Sequence, residues 1–365
     1  MSEPNSPTNA EDLFEDPPPR TRRPRVPGAV ESLPRTTPSA GRAVLQIVGF
    51  LIGLAILAWC ISAALSPENR DKLHALSRAP AGMVALLFAL SAVSLALNGA
   101  MFWTTLLPAK RLPMADVQAV NAAAALLSYL PFKLSIVARF LIHNRRNGVP
   151  LLTIGAWLAA VAAVLVATMT PTAAAAVWRQ QADPVFALVC VAGMALAYAA
   201  VLGGASLFAH DQGLDRLHRW AAPLGFSWLD RALRSTWFRR VHVALDMLAH
   251  PGTLALSMLL RVADLSVQAA RFSVAAACLG TSLEFGVAFL TASMFFLIGV
   301  LSPSGALGAR EGASTGLAAL LAVPGLSGTA FAPIALTVSA SEVLVNLTCA
   351  VVGGAYLRVT HRTQP

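Results

Sequence analysis

Residues 301–315, LSPSGALGAREGAST, interrupt a long apolar region with a proline, three glycines and two charged side chains. A charged side chain at the centre of a membrane helix costs about 2.5–3.5 kcal/mol or more. Backbone that leaves the helix at this depth survives only where protein or a water-filled cavity covers it. We therefore predict a site inside a membrane protein. Its turn residues are Pro303, Gly305, Gly308 and Gly312, and its charges are Arg310 and Glu311.

A second, fainter copy of this pattern lies in residues 130–139, LPFKLSIVAR. Pro131 precedes Arg139 by the same spacing that separates Pro303 from Glu311, and Lys133 lies between. Broken apolar segments at corresponding places in two halves of a chain indicate a transporter binding site. The sequence therefore predicts two related turns that meet at one site.

The composition is that of an all-α polytopic membrane protein. Of 365 residues, 56% are apolar and 12% are charged, against about 25% charged in a typical soluble domain. The net charge of +9 is interpreted as arginine-rich cytoplasmic loops that contact anionic lipid, and no nucleic-acid partner is expected. The four cysteines lie in apolar runs without ligand spacing, so we expect no metal site and no cofactor.

The apolar runs divide the chain into six spans and two broken regions, each broken region predicted as a re-entrant hairpin. Residues 1–43 are predicted to be a disordered cytoplasmic tail, residues 44–357 the transmembrane domain and residues 358–365 a cytoplasmic C-terminal tail. An amphipathic cytoplasmic loop is predicted at residues 209–250, with Pro223 dividing it. The spans are residues 44–65, 81–107, 150–177, 184–208, 253–279 and 331–357, and the hairpins are residues 115–142 and 285–321.

The Lys and Arg distribution predicts that both termini are cytoplasmic, in a bacterial-type inner membrane. On this threading, the unit at residues 81–177 starts outside and the unit at residues 253–357 starts inside, which predicts an inverted repeat. The alternative is that any protein with six or more spans can be divided into look-alike halves.

Charged residues in the second half form two predicted groups. Arg261, Asp264 and Arg271 fall within roughly 80° of one helix face, which is typical of a polar path or of a structural ion pair. Glu342 shares a face with Ser339 and Asn346. This carboxyl group is interpreted either as proton-linked or as a neutral acid bonded to a neighbouring helix.

Arg139 is the candidate phosphate ligand of the first hairpin, because a guanidinium group is a planar fork with a permanent charge. The alternative is that Arg139 caps the hairpin at the cytoplasmic surface beside Arg145 and Arg146.

These segments resemble the flippase-like family defined by the transmembrane region of lysylphosphatidylglycerol synthase. A motif similar to P-x-x-x-x-G-x-R-E-G is matched at Pro303, Gly308, Arg310, Glu311 and Gly312. A second, similar to P-x-x-x-x-G-x-x-R, is matched at Pro131 and Arg139, with Ile136 in place of its glycine. The resemblance implies an inner-membrane protein that handles lipids, without the aminoacyl-transferase domain of the full synthases.

Two functions from different classes are therefore expected. In the first, the protein is not an enzyme and translocates a lipid, such as a phospholipid, an aminoacylated phospholipid, a lipid-linked sugar or a hopanoid. The predicted path consists of Lys133, Arg139, Arg261, Asp264, Arg271, Arg310, Glu311 and Glu342. In the second, the protein is a non-transporting scaffold whose partners are lipid-biosynthesis enzymes. A carrier of small solutes or ions is a third, weaker alternative.

Overall fold

The structure is a computed structural model that describes residues 40–179, 183–221, 233, 235–302, 305–320 and 328–362. Most of the predicted N-terminal tail lies outside these residues, as do Pro303 and Pro223. The described residues are almost entirely helical. The prediction of an all-α polytopic membrane fold is confirmed.

Six helices are long and apolar enough to cross a membrane, with mean hydropathies of 1.3 to 2.5. At 1.5 Å per residue, their 25 to 31 residues exceed the roughly 30 Å hydrocarbon core. They match the six predicted spans, except that the last helix continues into the predicted C-terminal tail as far as Arg362. They are α1 (Ala40–Ala64), α3 (Ala81–Leu106), α6 (Leu151–Arg179), α7 (Pro184–Phe208), α10 (Pro251–Cys278) and α13 (Ala332–Arg362).

Two pairs of shorter helices occupy the regions predicted as broken. The first pair is α4 (Met114–Leu127) and α5 (Leu134–Asn147), and the second is α11 (Phe285–Leu301) and α12 (Ala309–Leu320). The helices of each pair pack against each other. That each pair enters and leaves on one side of the membrane stays a prediction.

The two turns between the short helices contact each other directly. The backbone N–H of Ala306 donates to the carbonyl of Ser128 at 3.1 Å. The Lys133 ammonium donates to the carbonyl of Val300 at 2.8 Å. The segments that the sequence singled out therefore form one continuous structure.

Packing follows the same order in both halves, long–short–short–long. α3 lies along α10, and α4 lies along α13. Contacts between α3 and α4 have a counterpart between α10 and α11, and contacts between α5 and α6 have one between α12 and α13. The correspondence favours a repeat, although its inversion in a membrane stays a prediction.

The remaining helices lie at the ends of the spans. A 3₁₀ turn (Pro67–Asn69) and α2 (Arg70–Ser77) connect α1 to α3, and a second 3₁₀ turn (Gly328–Phe331) precedes α13. The Lys72 ammonium donates to the carbonyl of Ala330 at 2.7 Å, and the partial burial of this side chain lowers the pKa of Lys72 below its ordinary value. The predicted amphipathic loop contains α8 (His210–Ala221) and α9 (Thr236–Leu248), which pack on α7 and α6 respectively.

Candidate functional site

A cavity of about 380 Å³ lies among α3, α4, α5, α6, α10, α11, α12 and α13 and between the two turns. This volume is within the range of small-molecule and cofactor sites. Six of the eight predicted path residues line it. They are Lys133, Arg139, Asp264, Arg271, Arg310 and Glu342.

Glu342 on α13 binds two arginines from different helices. Its Oε1 lies 2.7 Å from Arg310 Nη1, and its Oε2 lies 3.0 Å from Arg271 Nη2. The Tyr129 hydroxyl donates to the same Oε1 at 3.2 Å, and Asn346 Nδ2 donates to that hydroxyl at 2.8 Å. Because the partners come from α10, α12, α13 and the first turn, this cluster joins the two halves of the fold.

Asp264 on α10 is the centre of a second cluster. It forms an ion pair with Arg261, and it accepts hydrogen bonds from Ser94 Oγ at 2.5 Å and from Gln268 Nε2 at 2.9 Å. Arg261 is fully buried, with its guanidinium 3.6 Å from the centre of the Phe296 ring. Arg261 does not line the cavity, whereas its partner Asp264 does. Arg261 therefore compensates the charge of Asp264 from outside the cavity lining.

Arg139 on α5 is buried, and no described carboxylate lies within ion-pair distance of it. Its Nη2 donates to Asn121 Oδ1 at 2.6 Å, and its guanidinium lies 3.9 Å from the centre of the Phe102 ring. Its Nη1 is buried without a described acceptor. A buried side chain does not fit the alternative that Arg139 caps the hairpin at the surface. On the same helix, Arg146 forms an ion pair with Asp116 at 3.0 Å.

Glu311, like Arg261, is buried outside the cavity lining. Consecutive residues of a helix point about 100° apart. Arg310 therefore faces the cavity, whereas Glu311 packs toward α13 and α1. There it accepts a hydrogen bond from Ser339.

Among the described residues predicted for the second turn, Gly305 and Gly308 lie in the connecting segment and Gly312 lies in a helix. Gly305 and Gly308 have φ values of 107° and 76°, which side chains rarely adopt. A Cβ at Gly308 would lie 1.7 Å from the carbonyl oxygen of Gly53. Gly312 was predicted in the turn, but it lies inside α12, where its missing side chain leaves space for Ile56 of α1.

The first turn forms without glycine. Pro131 lies in it, and Phe132 and Lys133 adopt φ values of 66° and 51°. Ile136, which occupies the motif's glycine position, already belongs to α5. The motif spacing is therefore kept by a turn of different composition.

Three polar residues of the site were not predicted. Asn121 and Tyr129 are buried partners of Arg139 and Glu342, and Gln268 is a buried partner of Asp264. Gln268 follows Asp264 by four positions, a spacing that brings side chains together on a helix. Asn121 and Tyr129 act across helices, so only their polarity within apolar runs could have marked them.

The cavity lining carries a surplus of positive charge. It contains four cations, Lys133, Arg139, Arg271 and Arg310, and two carboxylates, Asp264 and Glu342, which gives a formal difference of +2. Such a lining favours an anionic ligand. Among the described residues, no three His, Cys, Asp or Glu side chains are grouped as a metal site.

These observations define a polytopic helical membrane protein with a cationic internal cavity. The model of the family described as "Lysylphosphatidylglycerol synthase TM region" matches residues 46–348, so the chain belongs to this family. No curated protein and no solved structure matches the chain. Membership makes it a membrane protein related to lipid modification or transport.

Proposed function

We propose that this protein translocates a lipid whose headgroup carries a phosphate, passing the headgroup through the cavity while the acyl chains stay in the bilayer. The observation that carries the proposal is Arg139, a buried arginine that lines the cavity without a described carboxylate partner. Phospholipids, their aminoacylated forms and lipid-linked sugars all contain such a phosphate. No bond is made or broken, so the function needs no enzymatic step.

The physical reason is the free energy of an unpaired buried charge. Removing an ion from water is unfavourable by several kcal/mol even after relaxation. A phosphate would supply acceptors for the N–H groups of Arg139 that lack one, and its charge would match the cationic lining. The arginine is then poorly paired only while the cavity is empty.

The mouth of the cavity supports a lipid rather than a free anion. Leu130, Ile136 and Val300 line the cavity and are also 39% to 44% exposed. Lys133 lies among them, with its ammonium on the carbonyl of Val300. An apolar rim beside a cation matches a molecule with acyl chains next to a phosphate.

In this proposal, the two short-helix pairs are re-entrant hairpins of an inverted repeat. Both termini face the cytoplasm of a bacterial-type cell, in its inner membrane. The Lys and Arg distribution supports this orientation, and the contact between the two turns supports a shared site.

The test is translocation of labelled lipids by the purified protein in vesicles. The trial lipids are phosphatidylglycerol, its lysyl ester and a polyprenyl-phosphate sugar. Arg139→Gln should lower the rate at least tenfold, because an amide cannot replace the fork and charge of a guanidinium. The matched control is Arg145→Gln on the same helix, since Arg145 is exposed, and its rate should equal that of the wild type.

If the wild-type protein moves none of the three lipids, the proposal is wrong. The scaffold hypothesis then predicts that neutralising the arginines of residues 209–250 abolishes cellular function, whereas Arg139→Gln has little effect. Equal rates for wild type and Arg139→Gln would leave translocation in place but remove Arg139 from the path.

A further inference from the structure

Glu311 lies outside the cavity lining, in the packed interface of α12 with α1 and α13, which we call the Glu311 compartment. The residue is fully buried. Ser339 of α13 donates to its Oε1, and its Oε2 has no described hydrogen-bond partner. Cys60 of α1, also fully buried, lies within electrostatic range of the carboxyl group.

No described cation forms an ion pair with Glu311, in contrast to the buried Asp116 and Asp264 and the partly buried Glu342. Asp116 pairs with Arg146, Asp264 with Arg261, and Glu342 with two arginines. Two stretches next to this region lie outside the described residues, residues 303–304 before α12 and residues 321–327 after it. Their sequences contain no lysine, arginine or histidine. Neighbouring Arg310 directs its Nη1 to Glu342 instead.

The groups that face Glu311 from the packed elements are few. α12 packs against α1, α11, α13 and the 3₁₀ turn at Gly328–Phe331. α1 contributes the Cys60 thiol, and α13 contributes the Ser339 hydroxyl. Glu342 of α13 is linked to this site by Arg310 of α12, which binds Glu342 and lies within electrostatic range of Glu311. α11 and the 3₁₀ turn contain no titratable residue. The carboxyl group accepts one described hydrogen bond, from Ser339, and no described cation pairs with it, so its surroundings offer little compensation for a negative charge.

From this geometry we propose that Glu311 is a proton-binding site that couples headgroup translocation to proton movement. The inference rests on the proposed function and adds its driving force. In each cycle the carboxylate takes one proton from water on one side of the membrane and returns it to water on the other. No other bond changes, and one proton is gained and lost.

The coupling acts through Arg310, which is shared by the two compartments. Its guanidinium binds Glu342 in the cavity wall and lies within electrostatic range of Glu311. An anion in the cavity adds negative charge near Arg310, which favours the protonated form of Glu311. By thermodynamic linkage, protonation of Glu311 must strengthen anion binding by the same factor.

Proton exchange requires that water reach Glu311, and α1 is the helix that covers it. α1 contacts α12 and its preceding turn through Gly53 and Ile56. The Gly53 carbonyl lies against Gly308, and the Ile56 side chain lies against Gly312. Most other residues of α1 are exposed. A displacement of this one helix would open the compartment without disturbing the ion pairs in the cavity.

The first experiment measures protonation directly, by infrared spectroscopy of the purified full-length protein at neutral pH. We expect a carbonyl band of a protonated carboxylic acid that disappears in Glu311→Gln and persists in Glu342→Gln. A wild-type protein without such a band, or a band that survives in Glu311→Gln, overturns the inference whether or not the protein moves lipid.

The second experiment measures lipid distribution in vesicles with an imposed pH gradient. The wild type should accumulate the labelled anionic lipid in one leaflet, and reversing the gradient should reverse the accumulation. Glu311→Gln, which resembles the protonated form, should exchange lipid between leaflets without accumulating it. In binding measurements, the wild-type affinity for the soluble headgroup should fall by up to about tenfold per pH unit as one proton is lost, whereas Glu311→Gln should be flat.

The outcomes separate the two proposals. Exchange that no pH gradient can bias contradicts proton coupling and leaves translocation standing. Accumulation driven by a sodium gradient instead assigns Glu311 to a different ion and overturns the inference. Absence of any exchange contradicts the proposed function, and coupling falls with it.

Discussion

Replacement of Arg139 by methionine should leave the folded state about as stable as the wild type, although the side chain is buried. The guanidinium loses several kcal/mol of hydration. It regains about 1.5–3 kcal/mol from its bond to Asn121 and about 2 kcal/mol from its position over Phe102. These opposing terms nearly cancel, and methionine can occupy the same space without a charge. We expect the free energy of unfolding to change by no more than about 2 kcal/mol.

The comparison variant for this prediction is Arg261→Met. Arg261 is also buried, with 0% exposure against 8% for Arg139, but its removal leaves the Asp264 carboxylate without its cation. Breaking a buried pair in this way destabilises a protein by about 3–5 kcal/mol. The two substitutions delete the same chemical group, so the difference between them isolates the effect of the missing counter-ion.

The assay is urea unfolding of both variants in mixed micelles, read from the midpoint at unchanged slope. The same preparations are then tested for lipid translocation, where Arg139→Met should be inactive despite being folded. A loss of 3 kcal/mol or more for Arg139→Met would refute the reasoning, because Arg139 would then hold the fold together as Arg261 does.

Three further predictions concern the turn and the two ion clusters. Gly308→Ala should destabilise the protein by well over 2 kcal/mol, because the φ of 76° at Gly308 and the nearby Gly53 carbonyl both exclude a side chain. The control is Gly316→Ala on the adjoining helix, where a Cβ meets nothing within 4 Å. In the same unfolding assay this control should be neutral or stabilising by up to about 1 kcal/mol. Glu342→Gln should cost about 3–5 kcal/mol by leaving two arginines underpaired, and a double-mutant cycle with Arg310→Gln should give a coupling energy of about 0.5–3 kcal/mol; additive losses would contradict the contact. Ser94→Ala should destabilise by about 1–3 kcal/mol through its lost bond to Asp264, and an unchanged unfolding midpoint would rule that bond out.

The positions of the helices could be predicted from the sequence because their causes are local. A run of about 20 apolar residues has one favourable structure in a bilayer. A proline accompanied by charged residues within such a run favours a break in the helix, whereas Pro171, without charged neighbours, lies inside α6. For these reasons the six spans and the outer limits of the two broken regions were predicted close to the bounds of the observed helices.

The pairing of charges could not be predicted in the same way, because it depends on how helices pack. Arg271 lies about 20° from Asp264 on one face, yet it binds Glu342 of another helix. Likewise, Arg310 and Glu311 are adjacent in the sequence motif, but the helix directs Arg310 into the cavity and Glu311 toward Ser339 of α13. Gly312 was placed in the turn for the same reason. A glycine can be required either by a turn or by a close contact between helices, and the sequence alone does not distinguish these two uses.

The two turns are joined by a hydrogen bond between backbone atoms, Ala306 N–H to Ser128 C=O. Nearly any side chain at either position leaves the donor and the acceptor intact. Adding or deleting one residue in either connecting segment would shift this bond and the Lys133 contact out of register together. In a mutational library, the two connecting segments should therefore tolerate few changes of length, and exchanges of residue should be excluded mainly where a side chain does not fit, at Gly305 and Gly308.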